Sequence, residues 1–212
     1  MPEDDQTATR PRVFIQMSGA PGAGKSSMAR LLQQSTGGLV IDHDVLRSSL
    51  LGSSDGLLTF DHVARMAYDL QWALAGSAAG QQGPLRLPAV IVDSTCNSRE
   101  VVDRGSGLAA RHGLAYWYVE CRVADVDLLD RRLRARERPL PSQRTAVDEP
   151  PAAAAGARAG EDSRALFRRW IDEPCRPLAS DRVIVVDSSK SLEEGRDLVL
   201  RKILEEPGVQ TK

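Results

Sequence analysis

Short apolar runs alternate with longer amphipathic stretches along most of this chain. Runs of Val, Ile, Leu and aromatic residues predict five strands, at 13–17, 39–41, 89–93, 114–121 and 183–186. Between them, apolar residues at helical spacing predict helices over about 24–35, 44–51, 60–76, 98–112, 124–137, 162–172 and 191–205. Clusters of glycine, serine and proline predict loops at 52–56 and 76–88.

This alternation predicts an α/β fold. Strands that follow one another through helices form a parallel sheet, and right-handed crossovers place helices on both of its faces. The continuous apolar run at 89–92 is typical of a strand that is buried on both faces. We therefore expect one doubly wound domain over 12–206, built on a five-stranded parallel sheet.

The segment 139–160 interrupts the pattern. It is rich in Pro, Ala and Gly, and the alanine run at 152–155 is bracketed by Pro150-Pro151 and Gly156. This composition predicts a mobile, partly disordered lid or linker over about 138–160. We also expect a disordered leader at 1–11 and a short tail at 207–212.

Composition adds several exclusions. The formal net charge of −1 gives no global electrostatic case for nucleic-acid binding. No stretch approaches the roughly 20 apolar residues of a membrane span, and the acidic start at 3–5 is unlike a secretory signal. Three cysteines without a C-x-x-C pairing indicate reduced thiols. We expect a cytoplasmic protein that does not bind a membrane.

A phosphate-binding motif follows the first strand. Residues 19–26 read G-A-P-G-A-G-K-S, a complete G-x-x-x-x-G-K-S loop between a strand and a helix. Its glycines let backbone N–H groups turn toward phosphate oxygens, and the helix N-terminus adds its positive dipole end. Lys25 is predicted to reach the β- and γ-phosphates, and the Ser26 hydroxyl to bind Mg²⁺. The predicted nucleotide-binding residues here are Gly19, Ala20, Pro21, Gly22, Ala23, Gly24, Lys25, Ser26 and Ser27.

Three of the predicted strands lead into aspartates, where ligands of such sheets bind. Asp42 and Asp44 follow the second strand, Asp93 the third and Asp187 the last. In the kinase-type strand order 2-3-1-4-5 the third strand lies beside the first, so Asp93 falls next to the phosphate loop. Asp93 is predicted to hold Mg²⁺ directly or through water, with a helix cap as the alternative. Asp187 is interpreted as a turn or cap residue.

Asp44 and Arg47 form a second candidate constellation. If a helix begins at Asp44, the two residues are i and i+3 and share a face. Phosphoryl transfer needs a group that takes the acceptor's proton and a cation near the transferring group, and this pair supplies both. The alternative is an N-cap with a surface ion pair. Asp42 is the second candidate for the base, while His43 is expected to point to the other side as a structural residue.

Arginines are dense between 131 and 144. Arg132 and Arg136 are four residues apart, so they align if 124–137 is one helix, and both are candidates for nucleotide binding. A lid arginine can stabilise the charge that develops on a transferring phosphoryl group. Arg136 is the first candidate for that role and Arg144 a further one. The alternative for most of this run is a solvated basic face.

These motifs resemble those of the small P-loop kinases. The strings G-A-P-G-A-G-K-S-S, D-V-L-R from Asp44, V-I-V-D-S-T from Val90 and R-L-R-A-R from Arg132 are similar to polynucleotide 5'-kinase, zeta-toxin-like and chloramphenicol-phosphotransferase-like members. That group is often labelled AAA-type ATP-binding proteins. The resemblance covers about 12–205, and the insert at 139–160 departs from it. It implies that Asp44 is the general base, Arg47 contacts the acceptor, and Arg136 touches the donor phosphates.

The leading hypothesis is therefore an ATP- and Mg²⁺-dependent kinase that phosphorylates a hydroxyl of a small-molecule or nucleoside-type acceptor. GTP stays open as the donor. A polynucleotide 5'-hydroxyl is the second choice of acceptor, because the basic cluster is local and no further basic stripe accompanies it. An alternative of a different class is a non-catalytic ATP-binding switch or NTPase.

Overall fold

The computed structural model describes residues 11–154, 160, 162–178 and 182–205. The predicted leader up to residue 10, the lid residues 155–159 and the tail lie outside these described residues. None of the described helices is long and apolar enough to cross a membrane.

Twelve elements make up the described fold. The strands are β1 (Val13–Ser18), β2 (Leu39–Asp42), β3 (Ala89–Asp93), β4 (Ala115–Arg122) and β5 (Val183–Asp187). The helices are α1 (Lys25–Thr36), α2 (His43–Ser53), α3 (Phe60–Gly80), α4 (Arg99–Arg111), α5 (Val126–Arg134), α6 (Ser163–Asp172) and α7 (Leu192–Glu205). Short 3₁₀ turns occur at Gly83–Leu85 and Ala152–Ala154.

The five strands form one parallel sheet in the order β2-β3-β1-β4-β5. This confirms the predicted fold class and strand order. β1 lies at the centre, with Val13 opposite Ala89 of β3 on one side and Ala115 of β4 on the other. In the β2–β3 pair, Asp42 lies in register with Asp93, so two carboxylates end neighbouring strands beside the phosphate loop.

Alternate residues of the central strand enter two different cores. Ile15 and Met17 pack in a cluster with residues from α1, α5, α6 and α7, whereas Phe14 packs with α3 and α4 on the opposite face. Both layers exclude solvent from the strand, since Phe14, Ile15 and Met17 are fully buried. Burial on both faces explains why the central strands read as continuous apolar runs.

Helix α3 is longer than the sequence predicts. We expected a loop from Gly76, but the helix continues to Gly80. Gly76 lies against the side chain of Leu108, and Ala75 and Ala78 are buried in the core, so small residues here serve close packing rather than a turn. The end of the helix is capped from a distance, because the buried Arg12 guanidinium donates hydrogen bonds to the carbonyls of Ala79 (3.0 Å) and Ala78 (3.3 Å).

The described part of the predicted lid is folded onto the domain. Ala146 and Val147 are fully buried, and the Val147 N–H donates to a carboxylate oxygen of Asp130 on α5 at 2.7 Å. Ser142 is also buried and contacts α2. The part of this stretch at 140–144 forms one wall of the cavity described below, although its composition resembles that of a linker. Movement of this segment stays a prediction.

Candidate active site

The phosphate loop joins β1 to α1 with a backbone that requires glycine. Gly19 has a φ of 131°, and a Cβ at this position would collide with the carbonyl oxygen of Cys121. Gly24 has a φ of 90° and occupies the N-cap of α1 without any side-chain cap. The first-turn N–H groups of α1 are thus not taken by a capping side chain, which leaves them available to an anion.

Lys25 and helix α5 both lie against the phosphate loop. The Lys25 ammonium group donates to the carbonyls of Gly19 (2.9 Å) and Ala20 (3.1 Å), so the side chain lies across the loop. A Cβ at Gly22 would come within 3.1 Å of the Leu129 carbonyl, which shows how closely α5 approaches the loop. This approach brings the arginine-rich segment after α5 toward the phosphate site.

Asp93 lies beneath the start of α1, as the strand order predicted. It is 3% exposed, and burial raises the pKa of its carboxyl to about 6, with the nearby Asp42 acting in the same direction. A hydrogen bond from the Ser26 hydroxyl and the charge of Lys25 oppose that rise. Within the described residues, its Oδ2 atom is buried and has no hydrogen-bond partner.

These groups fit a magnesium ion held jointly with a nucleotide. The Asp93 oxygen and the Ser26 hydroxyl are hard oxygen ligands, and Mg²⁺ usually combines one or two carboxylates with phosphates and waters. No group of three or more His, Cys, Asp or Glu side chains suited to a metal ion occurs in the described part of the chain. The residues therefore suit a metal that arrives with phosphates rather than a dedicated protein cage.

Helix α2 begins one residue earlier than predicted, at His43. The Asp42 carboxylate is its N-cap and accepts from the N–H groups of Asp44 (2.8 Å) and Val45 (3.2 Å). Burial, followed by the charge of Asp44, raises the pKa of Asp42. One oxygen of Asp42 is therefore occupied by capping the helix, whereas the Asp44 carboxylate does not cap a helix.

Arg47 is held in place by two aromatic side chains. Its guanidinium donates to Nε2 of His43 at 2.8 Å and lies 4.7 Å from the ring centroid of Phe60. His43 packs against Tyr68 with a centroid separation of 4.0 Å, and burial lowers its pKa to about 3. The expectation that His43 points away from the site was wrong. Starting the helix at residue 43 places His43 and Arg47 one turn apart.

Arg132 and Arg136 lie in different places, because α5 ends at Arg134, earlier than predicted. Arg136 therefore lies beyond the end of the helix. Its half-buried guanidinium reaches the carbonyl of Arg144 at 3.3 Å, and burial lowers its pKa while Asp44 and Asp42 raise it. Arg132 instead donates to the carbonyl of Ser188 at 2.8 Å and does not border the main cavity. Arg144 is buried, and its guanidinium contacts the carbonyl of Val147 and the hydroxyl of Ser163.

A cavity of about 880 Å³ connects these groups. The phosphate loop and Asp93 form one end, α2 and α3 form a side, and the segment after α5 covers it. Its lining includes Gly22, Gly24, Lys25, Ser26, Asp44, Arg47, Phe60, Tyr68, Asp93, Arg136, Gln143, Arg144, Arg169 and Trp170. The predicted base, the predicted metal ligands and both candidate lid arginines, Arg136 and Arg144, thus face the same space.

Sequence reasoning missed several lining residues. Gln143 donates from its amide nitrogen to the Asp44 Oδ2 atom at 3.1 Å, and Ser142 donates to the Asp44 carbonyl at 3.1 Å. Arg169 and Trp170 enter the wall from α6. The polar triplet Ser142-Gln143-Arg144, next to Pro139 and Pro141, was the available signal. Arg169 and Trp170 had none, because only the packing of α6 brings them to the cavity.

A family model described as an AAA domain matches residues 14–156. This match covers most of the chain, including the phosphate loop, Asp44, Asp93 and Arg136. The chain belongs to the AAA domain family. Among curated proteins, none matches the sequence.

Solved structures share the fold of this AAA domain protein. A candidate kinase from Chloroflexus aurantiacus superposes with a TM-score of 0.65 at 18% identity, covering 92% of this chain and 98% of that one. A gluconokinase from Sinorhizobium meliloti 1021 has a TM-score of 0.55 at 18% identity, over 92% and 93%. The APS kinase CysC of Mycobacterium tuberculosis, in complex with AMPPNP and APS, has a TM-score of 0.55 at 20% identity, over 92% and 99%. At these identities the likeness establishes the P-loop kinase fold.

Proposed function

We propose that this AAA domain protein is an ATP- and Mg²⁺-dependent kinase that transfers the γ-phosphoryl group to a hydroxyl of a small-molecule or nucleoside-type acceptor. The observation that carries the proposal is that the phosphate loop and the Asp44–Arg47 pair line one cavity of about 880 Å³. A nucleotide-binding module without an acceptor would not need a carboxylate and a guanidinium across from the phosphates. The structural likeness to named kinases supports the same class.

The donor is held at the loop end of the cavity. Backbone N–H groups of the loop and of the first turn of α1 bind the phosphates, and Lys25 exchanges its loop carbonyl contacts for the β- and γ-phosphates. Ser26 and Asp93 would hold Mg²⁺, which neutralises phosphate charge when bound. Arg136 interacts electrostatically with Asp44 of α2 and with its N-cap Asp42, which supports a role between donor and acceptor.

The acceptor is activated at the α2 end. Its hydroxyl oxygen forms a bond to the γ-phosphorus while the bond from that phosphorus to the bridging oxygen breaks, and the electron pair leaves with ADP. The hydroxyl proton moves to Asp44. Arg47 and Arg136 offset charge on the transferring group, which is a contribution of electrostatic stabilisation and positioning.

The cavity favours a small acceptor over the end of a polynucleotide. Single-stranded nucleic acids gain affinity by stacking bases on exposed aromatic faces. The aromatic rings Phe60 and Tyr68 that line this cavity are instead covered by Arg47 and His43. Trp170 packs against Phe167 with a centroid separation of 5.2 Å.

The three free cysteines in the described residues agree with the predicted cytoplasmic location.

The proposal is tested by incubating the protein with γ-labelled ATP and Mg²⁺ against a panel of acceptors. The panel holds nucleosides, sugars, sugar acids and a 5'-hydroxyl oligonucleotide. We expect label on a small hydroxyl compound and none with Lys25→Met. Label on the oligonucleotide alone would contradict the small-molecule acceptor, and unchanged turnover in Lys25→Met would contradict the assigned donor site.

A further inference from the structure

Gln143 is fixed at both ends of its amide group. Its Nε2 donates to Oδ2 of Asp44 at 3.1 Å, and its Oε1 accepts from the Leu140 N–H at 3.2 Å. The second contact determines which way the amide faces, because an N–H group can only donate. The donating end is therefore directed at the carboxylate.

The backbone of Asp44 is held by the neighbouring residue. The Ser142 hydroxyl donates to the Asp44 carbonyl at 3.1 Å and accepts from the Ser48 hydroxyl at 2.9 Å. The Ser142 N–H donates to the same Ser48 oxygen at 3.3 Å. Gln143 and Ser142 thus both donate hydrogen bonds to Asp44, the first to its carboxylate and the second to its backbone carbonyl.

The same segment is tied to the donor side of the cavity. Arg136 donates to the carbonyl of Arg144, which is the residue after Gln143. Arg144 is itself anchored, since its buried guanidinium donates to Ser163 of α6 at 3.1 Å. Gln143, which contacts the proposed base Asp44, and Arg144, which contacts Arg136, are therefore adjacent in the chain, and the anchor at Ser163 supports both.

We propose that Gln143 is a positioning residue for the reaction: it orients the Asp44 carboxylate and couples that orientation to Arg136 through the 140–144 segment. The proposal rests on the proposed kinase function, in which Asp44 takes the acceptor proton. With Oδ2 occupied by the Gln143 amide, Oδ1 is the oxygen that faces the incoming hydroxyl. The base then has its working geometry when the segment lies against α2, as these hydrogen bonds hold it.

Two isosteric variants test this role on the labelled acceptor that the panel identifies. Gln143→Met keeps the length of the side chain and removes the donor, and Gln143→Glu replaces the donor with a like charge facing Asp44. A hydrogen bond to a charged group is strong enough that we expect kcat to fall about tenfold or more in Gln143→Met, and further in Gln143→Glu. The KM for ATP should stay within about twofold, because the phosphate loop is untouched.

The matched control is Thr145→Val, at the residue that directly follows the 140–144 segment. The Thr145 hydroxyl donates to Glu149 at 2.8 Å and does not contact Asp44, so this variant should keep the wild-type kcat. A merely structural role for the segment would lower kcat in Thr145→Val as well, and that result would overturn the proposal. Wild-type kcat in Gln143→Met would also overturn it.

A double-mutant cycle separates this proposal from the proposed function. If Gln143 acts through Asp44, adding Gln143→Met to Asp44→Asn should change single-turnover transfer by less than about twofold. Additive losses would overturn the positioning role while leaving the kinase assignment intact. Undiminished transfer in Asp44→Asn alone would instead refute Asp44 as the base, on which this inference depends, and absence of transfer from the wild-type protein to every acceptor of the panel would refute the proposed function itself.

Discussion

At the scale of single residues, a neutral histidine supports the Asp44–Arg47 pair. The Arg47 guanidinium can only donate, so its 2.8 Å contact requires His43 Nε2 to be an unprotonated acceptor. His43 is 3% exposed, and burial together with the neighbouring Arg47 lowers its pKa to about 3. Geometry and electrostatics agree that this imidazole carries no charge at neutral pH. The contact between Arg47 and His43 therefore depends on the neutral form of His43, which burial favours.

This burial predicts a pH dependence of stability. An unfolded histidine takes up a proton below about pH 6.5, whereas folded His43 does so only near pH 3, so its contribution to stability is present above pH 6.5 and is lost as the pH falls. Between pH 7 and pH 5 this group should lower the free energy of unfolding by about 2 kcal/mol.

Urea unfolding of wild type and His43→Gln at both pH values measures this effect, because glutamine does not titrate. The difference between pH 7 and pH 5 should be smaller in the variant. His62→Gln, at an exposed position on α3, controls for the loss of a histidine. Equal pH dependence in wild type and His43→Gln would show that His43 is not held neutral by burial.

At the scale of elements, the end of α3 depends on a side chain that precedes β1. Arg12 is 5% exposed and donates to three carbonyls, those of Ala78, Ala79 and Leu87, the last at 2.8 Å. Helix ends leave their last carbonyls without partners in the helix, and burial makes such vacancies costly. A single guanidinium therefore stabilises the last turn of α3 and the approach to β3.

Replacing Arg12 should weaken the fold without altering nucleotide binding. We expect Arg12→Met to lower the free energy of unfolding by about 1–3 kcal/mol, since buried carbonyls lose their donors. Arg86→Met removes the same charge at an exposed position nearby and should cost less than about 0.5 kcal/mol. Denaturant unfolding compares the two, and similar losses in both variants would contradict the capping role.

Elements also show which parts of the fold could be predicted. The strands followed from apolar runs, which are local signals, and their order followed from the kinase-type topology that the phosphate loop indicates. The ends of α3 and α5 could not be predicted, since a guanidinium 66 residues away supports one and the chain's departure toward Arg144 decides the other. The contact of Gln143 with Asp44 joins residues 99 positions apart, so no local pattern reveals it.

At the scale of the whole molecule, charge is concentrated where the nucleotide is proposed to bind. Among the described residues lining the main cavity, seven are cationic, namely Lys25, Arg30, Arg47, Arg136, Arg138, Arg144 and Arg169. Four are acidic, namely Asp42, Asp44, Asp93 and Glu137. The cavity lining therefore has more cationic than acidic residues, although the whole chain has a formal net charge of −1. A cavity that concentrates positive charge attracts polyanions such as a triphosphate without making the whole surface basic.

The central claim is that one cavity joins nucleotide binding to proton abstraction by Asp44. Asp44→Asn tests it most directly, because the substitution removes the base and preserves the shape of the side chain. We predict that ATP affinity, measured by calorimetry, stays within about twofold of wild type, while transfer of labelled γ-phosphate falls about 10²–10⁴-fold. Undiminished transfer together with unchanged ATP affinity would contradict the claim, because Asp44 would then have no chemical role. Absence of transfer from the wild-type protein to any acceptor would instead favour a nucleotide-binding switch or NTPase.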